Sequence, residues 1–209
     1  MNDYLTPAEF GQDEFIEKRS RFIGSVWHCE TEAEALEHIK QMNEKHREAA
    51  HNVYAYIIKE NNIMRYSDNG EPQGTAGMPV LEVLRREGLV NVLCVVTRYF
   101  GGVLLGAGGL TRAYAKSAKI GVDAAGIMQM RLWTELLIEA PYNLQERIKL
   151  KIEEQGGLIR KTDYGASVLF DTVVPSEEKD EFCEGIVDLT AGKVIPEAMG
   201  ETFMGVRIK

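Results

Sequence analysis

The chain is poor in the features that mark secreted, metal-stapled or membrane-spanning proteins. It has three cysteines, Cys29, Cys94 and Cys183, widely spaced and odd in number. That pattern leaves neither a disulfide framework nor a CxxC metal site. The opening run MNDYLTPAEFGQDE is acidic and polar, without the basic and apolar regions of a signal peptide. No uncharged stretch matches a membrane span in length and apolarity; the longest, Tyr99 to Thr111, is short and glycine-rich. These absences predict a cytoplasmic protein with reduced thiols and no membrane partner. An excess of positive charge is lacking too. With 24 Lys/Arg against 32 Asp/Glu the net charge is −8, which argues against polyanion binding by the surface as a whole.

What remains is ordinary globular composition, 44% apolar and 27% charged, over 209 residues. That length is long for one small domain and comfortable for two. The charge is unevenly spread. Residues 1–131 carry 15 Lys/Arg against 17 Asp/Glu, and residues 132–209 carry 9 against 15. Between Gly88 and Val122 there is no acidic residue, only Arg98, Arg112, Lys116 and Lys119. A second cationic cluster, Lys18, Arg19 and Arg21, lies near the start. If the two clusters meet, they make one basic face on an acidic protein; otherwise they are solvated or paired with distant carboxylates.

The patterning divides the chain at residue 131. Phe15 to Trp27 reads as one long strand or a bent pair. Thr31 with Glu34 forms a capping box for a helix to about Glu48. His51 to Lys59 alternates, with Val53, Ala55 and Ile57 on one face and Tyr54, Tyr56 and Ile58 on the other. Ile63 to Tyr66 returns as a short strand, and the turn-rich SDNGEPQGTAGMP leads into a helix ending near Glu87. Leu89 to Thr97 is the most apolar run and predicts a central strand holding Cys94 in the core. A glycine loop follows, then a helix from Leu110 to Ala125, and Ile127 to Trp133 as a linker strand. Residues 132–209 read as strand, helix, strand, strand, helix, strand, with Asn143 and Ser176 as helix caps. This βαββαβ order is the ferredoxin-like pattern.

The strongest chemical signal is TRYFGGVLLGAGGLTRAYAKSAK, Thr97 to Lys119. A buried strand delivers Arg98, Tyr99 and Phe100 to its end, and Gly101, Gly102, Gly106, Gly108 and Gly109 let the backbone turn close to a ligand. The following helix offers unpaired N–H groups with Thr111 and Arg112 in its first turn, a ready anion site. Arg112, Lys116 and Lys119 fall on one helical face. The loop is neither a Walker A sequence nor GxGxxG, and the plain alternative is tight strand–helix packing. In the second motif Asp68 and Glu71 flank a turn before a helix that Thr75 can cap. They read as a metal or general-base pair or, more plainly, as an Asx-type turn with an N-terminal helix charge. His51, with His46 nearby, is a candidate base or a hydrogen-bonded surface residue. No Ser–His–acid or Cys–His arrangement is legible.

EKRSRFIG (Glu17–Gly24), AHNVYAY (Ala50–Tyr56), SDNGEPQGTAGMP (Ser67–Pro79) and VVTRYFGGVLLGAGGLTRAY (Val95–Tyr114) resemble the YigZ/IMPACT family along the whole chain. One departure stands in the loop, where many members have a lysine at the position of Leu104 or Leu105. The resemblance implies an α+β protein of two domains. Residues 1–131 would adopt the fold of the second domain of ribosomal protein S5, shared with a translocating elongation factor and with small-metabolite kinases. Residues 132–209 would form a ferredoxin-like domain resembling one in that same factor. Eukaryotic relatives restrain a kinase that senses uncharged tRNA, by competing for its activator on ribosomes. A proline-dipeptidase label attached to some relatives finds no support in the residues, which offer only Asp68, Glu71 and His51 as loose metal-ligand candidates.

The combined expectation is a non-enzymatic protein without cofactor or bound metal that engages RNA or ribosomes through the first domain. Arg98, Tyr99, Arg112, Lys116 and Lys119 would contact phosphate, Lys18, Arg19 and Arg21 would extend the face, and Tyr99 or Phe100 would stack on an unpaired base. One alternative is an enzyme holding a small phosphorylated ligand at the glycine loop, with Asp68 and Glu71 as metal ligands or base. Another is a protein-only regulator whose acidic second domain docks a translation factor.

Overall fold

The computed structural model describes residues 3–209. It divides into two compact units, residues 4–129 with 206–209 and residues 130–205. The arrangement is α+β in two domains. Among the described residues no helix is long and apolar enough to cross a membrane.

In the first unit a short strand β1 (Tyr4–Pro7) precedes β2 (Gly11–Glu17) and β3 (Ser20–His28). The Phe15–Trp27 run is therefore the bent pair of the two alternatives, closed as a tight hairpin. Its turn is Lys18-Arg19, both at positive φ (46° and 66°), as a two-residue hairpin turn demands. Neither residue is an ordinary turn former, so composition gave no break there. Helix α1 (Glu32–Lys45) follows, capped as expected: Thr31 Oγ1 accepts the Glu34 N–H at 3.2 Å. The Glu34 carboxylate reaches back to the Glu30 N–H at 2.8 Å.

Then come β4 (His51–Ile58), β5 (Ile63–Ser67), α2 (Gly77–Arg86), β6 (Val92–Tyr99) and α3 (Ala107–Ala125). The sheet order is β2-β3-β6-β4-β5, with every neighbouring pair antiparallel. Alternation in β4 divides two cores. Val53, Ala55 and Ile57 pack with Val80, Leu84, Tyr114 and Ala118 of α2 and α3. Tyr56 and Ile58 pack with Ala35, Ile39 and Met42 of α1. Cys94 and Cys29 are buried, and burial pushes each thiol up to about 12.

Helix α3 starts three residues before the expected Leu110, so Gly108 and Gly109 belong to its first turn. The expected linker is no separate element, because β7 runs unbroken from Ile127 to Ala140. The last four residues sit with the first unit. Ile127 N–H donates to the Lys209 carbonyl at 3.0 Å, and Ile208 N–H donates to the Ile127 carbonyl at 2.9 Å. The division at 131/132 assigned them to the second domain; this return is a long-range pairing that leaves no mark in composition.

The second unit takes the rest of β7, then α4 (Gln145–Glu154), β8 (Leu158–Tyr164), β9 (Val168–Pro175), α5 (Lys179–Leu189) and β10 (Glu197–Arg207). Its own strands run β10-β7-β9-β8, the ferredoxin-like order for βαββαβ, in a five-stranded sheet where β1 also pairs with β7. Its core joins Leu136, Ile138, Ile148, Ile152, Phe170, Phe182 and Ile186. Asn143 and Ser176 do not cap the helices. Each lies in a single 3-10 turn after Pro141 or Pro175, and α4 and α5 begin after those turns.

Candidate functional site

The turn between β5 and α2 builds the site from the backbone outward. Asp68 accepts N–H bonds from Gly74 (2.8 Å), Ala76 (3.1 Å) and Gly77 (2.8 Å). Its carboxylate thus caps α2 and stands beside the helix's positive end. Thr75 does not cap; its hydroxyl donates to the Pro72 carbonyl at 2.6 Å. Asn69, held at φ 45°, accepts the Asn52 N–H through Oδ1 at 2.8 Å. Its carbonyl lies 2.8 Å from Nδ1 of His51. A carbonyl can only accept, so Nδ1 carries a proton, and in the Nδ1–H tautomer of the ring Nε2 is the nitrogen with the lone pair.

Two residues on, the turn delivers Glu71 into the interior. Its Oε1 accepts from Arg98 Nη1 at 2.6 Å and from the Tyr114 hydroxyl at 2.8 Å, and lies 3.8 Å from His51 Nε2. Arg98 is only 5% exposed. Its guanidinium sits between the rings of Phe22 and Phe100, 5.4 and 5.5 Å from their centres. Arg98 Nη2 is 3.4 Å from Ser20 Oγ, which also accepts the Gly101 N–H at 3.2 Å. Burial, then the Glu71 charge and hydrogen bond, raise the Tyr114 hydroxyl above its ordinary range, so it stays protonated and donates. Arg98, expected on the phosphate-contacting face, is instead the buried counter-charge of Glu71. Nor do Asp68 and Glu71 pair as ligands: one caps a helix and the other lies in this cluster. Among the described residues no group of three His, Cys, Asp or Glu side chains gathers to hold a metal ion.

Above the cluster opens a cavity of about 420 Å³ walled by Ala50, Pro72, Phe100, Leu104, Leu105, Gly106, Ala107 and Leu110. Gly101 passes so close to the hairpin that a Cβ would collide with the Arg19 backbone. Gly106 takes φ 73° to start α3 and leaves its first turn without a side-chain cap. Tight packing therefore accounts for Gly101, and an open helix end accounts for Gly106.

Beyond Leu105, which lines both, a smaller cavity of about 140 Å³ is ringed by Lys18, Arg112 and Lys116, with Phe15, Glu17 and Gly109. The hairpin turn and α3 thus bring the two cationic clusters together in part. Lys116 Nζ lies 4.2 Å over the Phe15 ring. Among the described residues Lys18, Arg19, Arg112 and Lys116 form no ion pair, whereas Arg21 pairs with Glu14 and Lys119 with Asp123 and Glu87. The Tyr99 hydroxyl is bonded to His46 Nδ1 at 2.9 Å, and Thr111 donates to the Ala107 carbonyl at 3.1 Å. Phe100 is half exposed, and Gly102 turns the loop at φ 81°. Sequence reasoning missed Tyr114 and Ser20. Tyr114 sits four residues after Leu110 and reads as one more core position, and Ser20 carries no pattern at all.

A two-domain α+β protein with a buried ion pair beneath a glycine loop is the class this geometry defines. Residues 18–122 match the family described as the Impact N-terminal domain, and residues 138–193 match a domain of unknown function, DUF1949. The chain is 40% identical to the IMPACT family member YvyE of Bacillus subtilis (strain 168), over 92% of this chain and 89% of that one. It is 30% identical to the IMPACT family member YigZ of Escherichia coli (strain K12), over 85% and 88%. A crystal structure described as that of a hypothetical protein superposes with a TM-score of 0.60 at 29% identity, covering 95% and 98%. The chain belongs to the IMPACT family.

Proposed function

We propose that this protein is a non-enzymatic, RNA- or ribosome-binding regulator of translation that holds phosphate at the cationic cavity of its first unit. The observation that carries the reading is the convergence of Lys18 with Arg112 and Lys116, residues nearly a hundred positions apart, around one concave surface where no ion pair among the described residues quenches them. On a protein of net charge −8, a local patch of this kind selects a phosphate backbone by position rather than by bulk charge. The Gly109 backbone and the Phe15 ring line the same surface, and the half-exposed Phe100 ring is a platform for an unpaired base.

The test is filter binding of labelled tRNA and of a short single-stranded RNA across a salt series. Three phosphate contacts give a log–log slope of about −2 for a single strand. The Lys18→Ala/Arg112→Ala/Lys116→Ala variant is expected to lose the affinity at low salt and flatten the slope. Binding unchanged in that variant would sink the reading. Ribosome co-sedimentation without affinity for naked RNA would replace it with the protein-only regulator.

A further inference from the structure

The phosphate-binding reading leaves the larger cavity and the ionised cluster beneath it without a task. We propose that the cavity over His51, Glu71 and Arg98 is a binding site for a small organic oxyanion with an apolar body, in which His51 Nε2 stands as a proton acceptor. The inference stands apart from the RNA reading: it rests on His51, Glu71, Arg98 and the start of α3, and shares with that reading only Phe100 and Arg112.

Three observations carry it. First, the floor is polar and unfinished. Glu71, itself buried, takes two hydrogen bonds through Oε1. The Nε–H of Arg98, a side chain more than nine-tenths buried, has no acceptor among the described residues. Protein interiors rarely leave such a group unsatisfied without a ligand or a water. Second, the imidazole is oriented. The Asn69 carbonyl fixes Nδ1–H at 2.8 Å, so Nε2 is the free nitrogen at the cavity, beside Glu71. Backbone orientation of one ring nitrogen to free the other is how a general base is held. Third, the opposite wall supplies an anion end. Helix α3 is 19 residues long and its N-cap, Gly106, gives no side-chain cap; among the described residues no side chain accepts from its first-turn N–H groups, so these orphan groups and the positive dipole end face the loop. Arg112 Nη1 folds toward that same turn, 3.5 Å from where a Cβ of Gly108 would stand.

Between floor and helix end the walls are apolar: Pro72, Phe100, Leu104, Leu105 and Leu110. The volume of about 420 Å³ lies in the range of small-ligand sites. An oxyanion head at α3, a ring or short chain along the leucines, and a hydroxyl donating to His51 or Glu71 satisfy the site. The head can be a phosphate monoester or a carboxylate, and the probes separate the two.

The experiment is calorimetric titration of the full chain with phenyl phosphate, 4-hydroxybenzoate, benzoate and inorganic phosphate. At least one aryl anion is expected to bind about tenfold or more tightly than inorganic phosphate, and 4-hydroxybenzoate more tightly than benzoate. Phenyl phosphate ahead of the carboxylates assigns a phosphate head, and the reverse order assigns a carboxylate. Two variants preserve folding while attacking the site. Ala107→Pro removes one N–H at the first helical position, where proline is well tolerated. Leu104→Asp sets a carboxylate on a wall residue that is 81% exposed. Each is expected to weaken the aryl anions severalfold, and His51→Gln to erase the preference for 4-hydroxybenzoate over benzoate. Inorganic phosphate binding as well as the aryl anions, no aryl anion binding, or aryl affinity indifferent to both Ala107→Pro and Leu104→Asp would each overturn the assignment.

Discussion

The unit of residues 130–205 buries three threonines, Thr134, Thr172 and Thr190, and no ionisable side chain among the described residues; the unit of residues 4–129 buries Glu71 and Arg98 against each other. Both units have continuous apolar cores. The second keeps its arginine cluster at the surface, where Arg160 reaches Glu135 and Asp171 at 2.8 and 2.6 Å with each partner more than a quarter exposed. Desolvating two opposite charges costs several kcal/mol each, and their attraction offsets that only when the geometry is good. The second unit closes its core without such a pair among the described residues. The placement of an ion pair, an oriented histidine and an open helix end at one cavity therefore points to a task in the first unit rather than to support of its fold.

Truncating each arginine would sharpen this contrast most. Arg98→Ala leaves the buried Glu71 without its counter-charge and is expected to cost about 3–5 kcal/mol. Arg160→Ala, at an exposed network, is expected to cost under about 1 kcal/mol. The two tryptophans separate the readouts in urea titrations, since Trp27 lies in the first unit and Trp133 in the second. The contrast breaks if the two losses are equal. A sharper form replaces the whole cluster by apolar residues, Arg98→Met/Glu71→Met/Tyr114→Phe. Stability within about 1 kcal/mol of the parent is expected, together with loss of aryl-anion binding. A large stability loss there would recast the pair as structural.

Asp68 comes next. Its N–H bonds from Ala76 and Gly77 at the start of α2, with a third from Gly74 in the turn before it, fit the cost of a strong helix cap, so Asp68→Ala is expected to destabilise the first unit by about 1–2 kcal/mol. Asp68→Asn should retain most of that, because an amide oxygen still caps. Equal losses in both variants would show that the charge, not the cap, matters.

The smallest effect concerns His46, whose Nε2 is buried without a partner among the described residues. Burial, then Lys45 and Arg21, lower its pKa below the ordinary histidine value. The folded state therefore binds fewer protons than the unfolded chain, and stability present above about pH 6.5 declines as pH falls below it. Melting temperatures of parent and His46→Asn between neutral and mildly acidic pH should converge on acidification. Parallel curves would remove His46 from the balance.

Much of the architecture was legible because it is local. Alternation in β4 assigned its two faces, Thr31 and Glu34 announced the start of α1, and the βαββαβ order announced the second unit. Where a break needed unusual dihedrals at ordinary residues, as at Lys18-Arg19, the pattern was silent. The site was legible only as residue types. Asp68, Glu71 and His51 could be picked out as chemistry-bearing, but nothing in the turn separates a carboxylate that caps from one that pairs.

Sequence alone determined the composition of each unit, the periodicities that choose helix or strand, and the acid-free stretch that concentrates cations around the glycine loop, since these depend on neighbours a few residues apart. Tertiary structure decided which cations stay free. Antiparallel pairing of β3 with β6 and β4 with β6 sets Arg98 between the hairpin and His51, and α3 brings Tyr114 to Glu71 across 43 residues. Burial then converts a sequence-level phosphate ligand into a counter-charge, because an arginine removed from water must find a carboxylate, and only the folded chain says which.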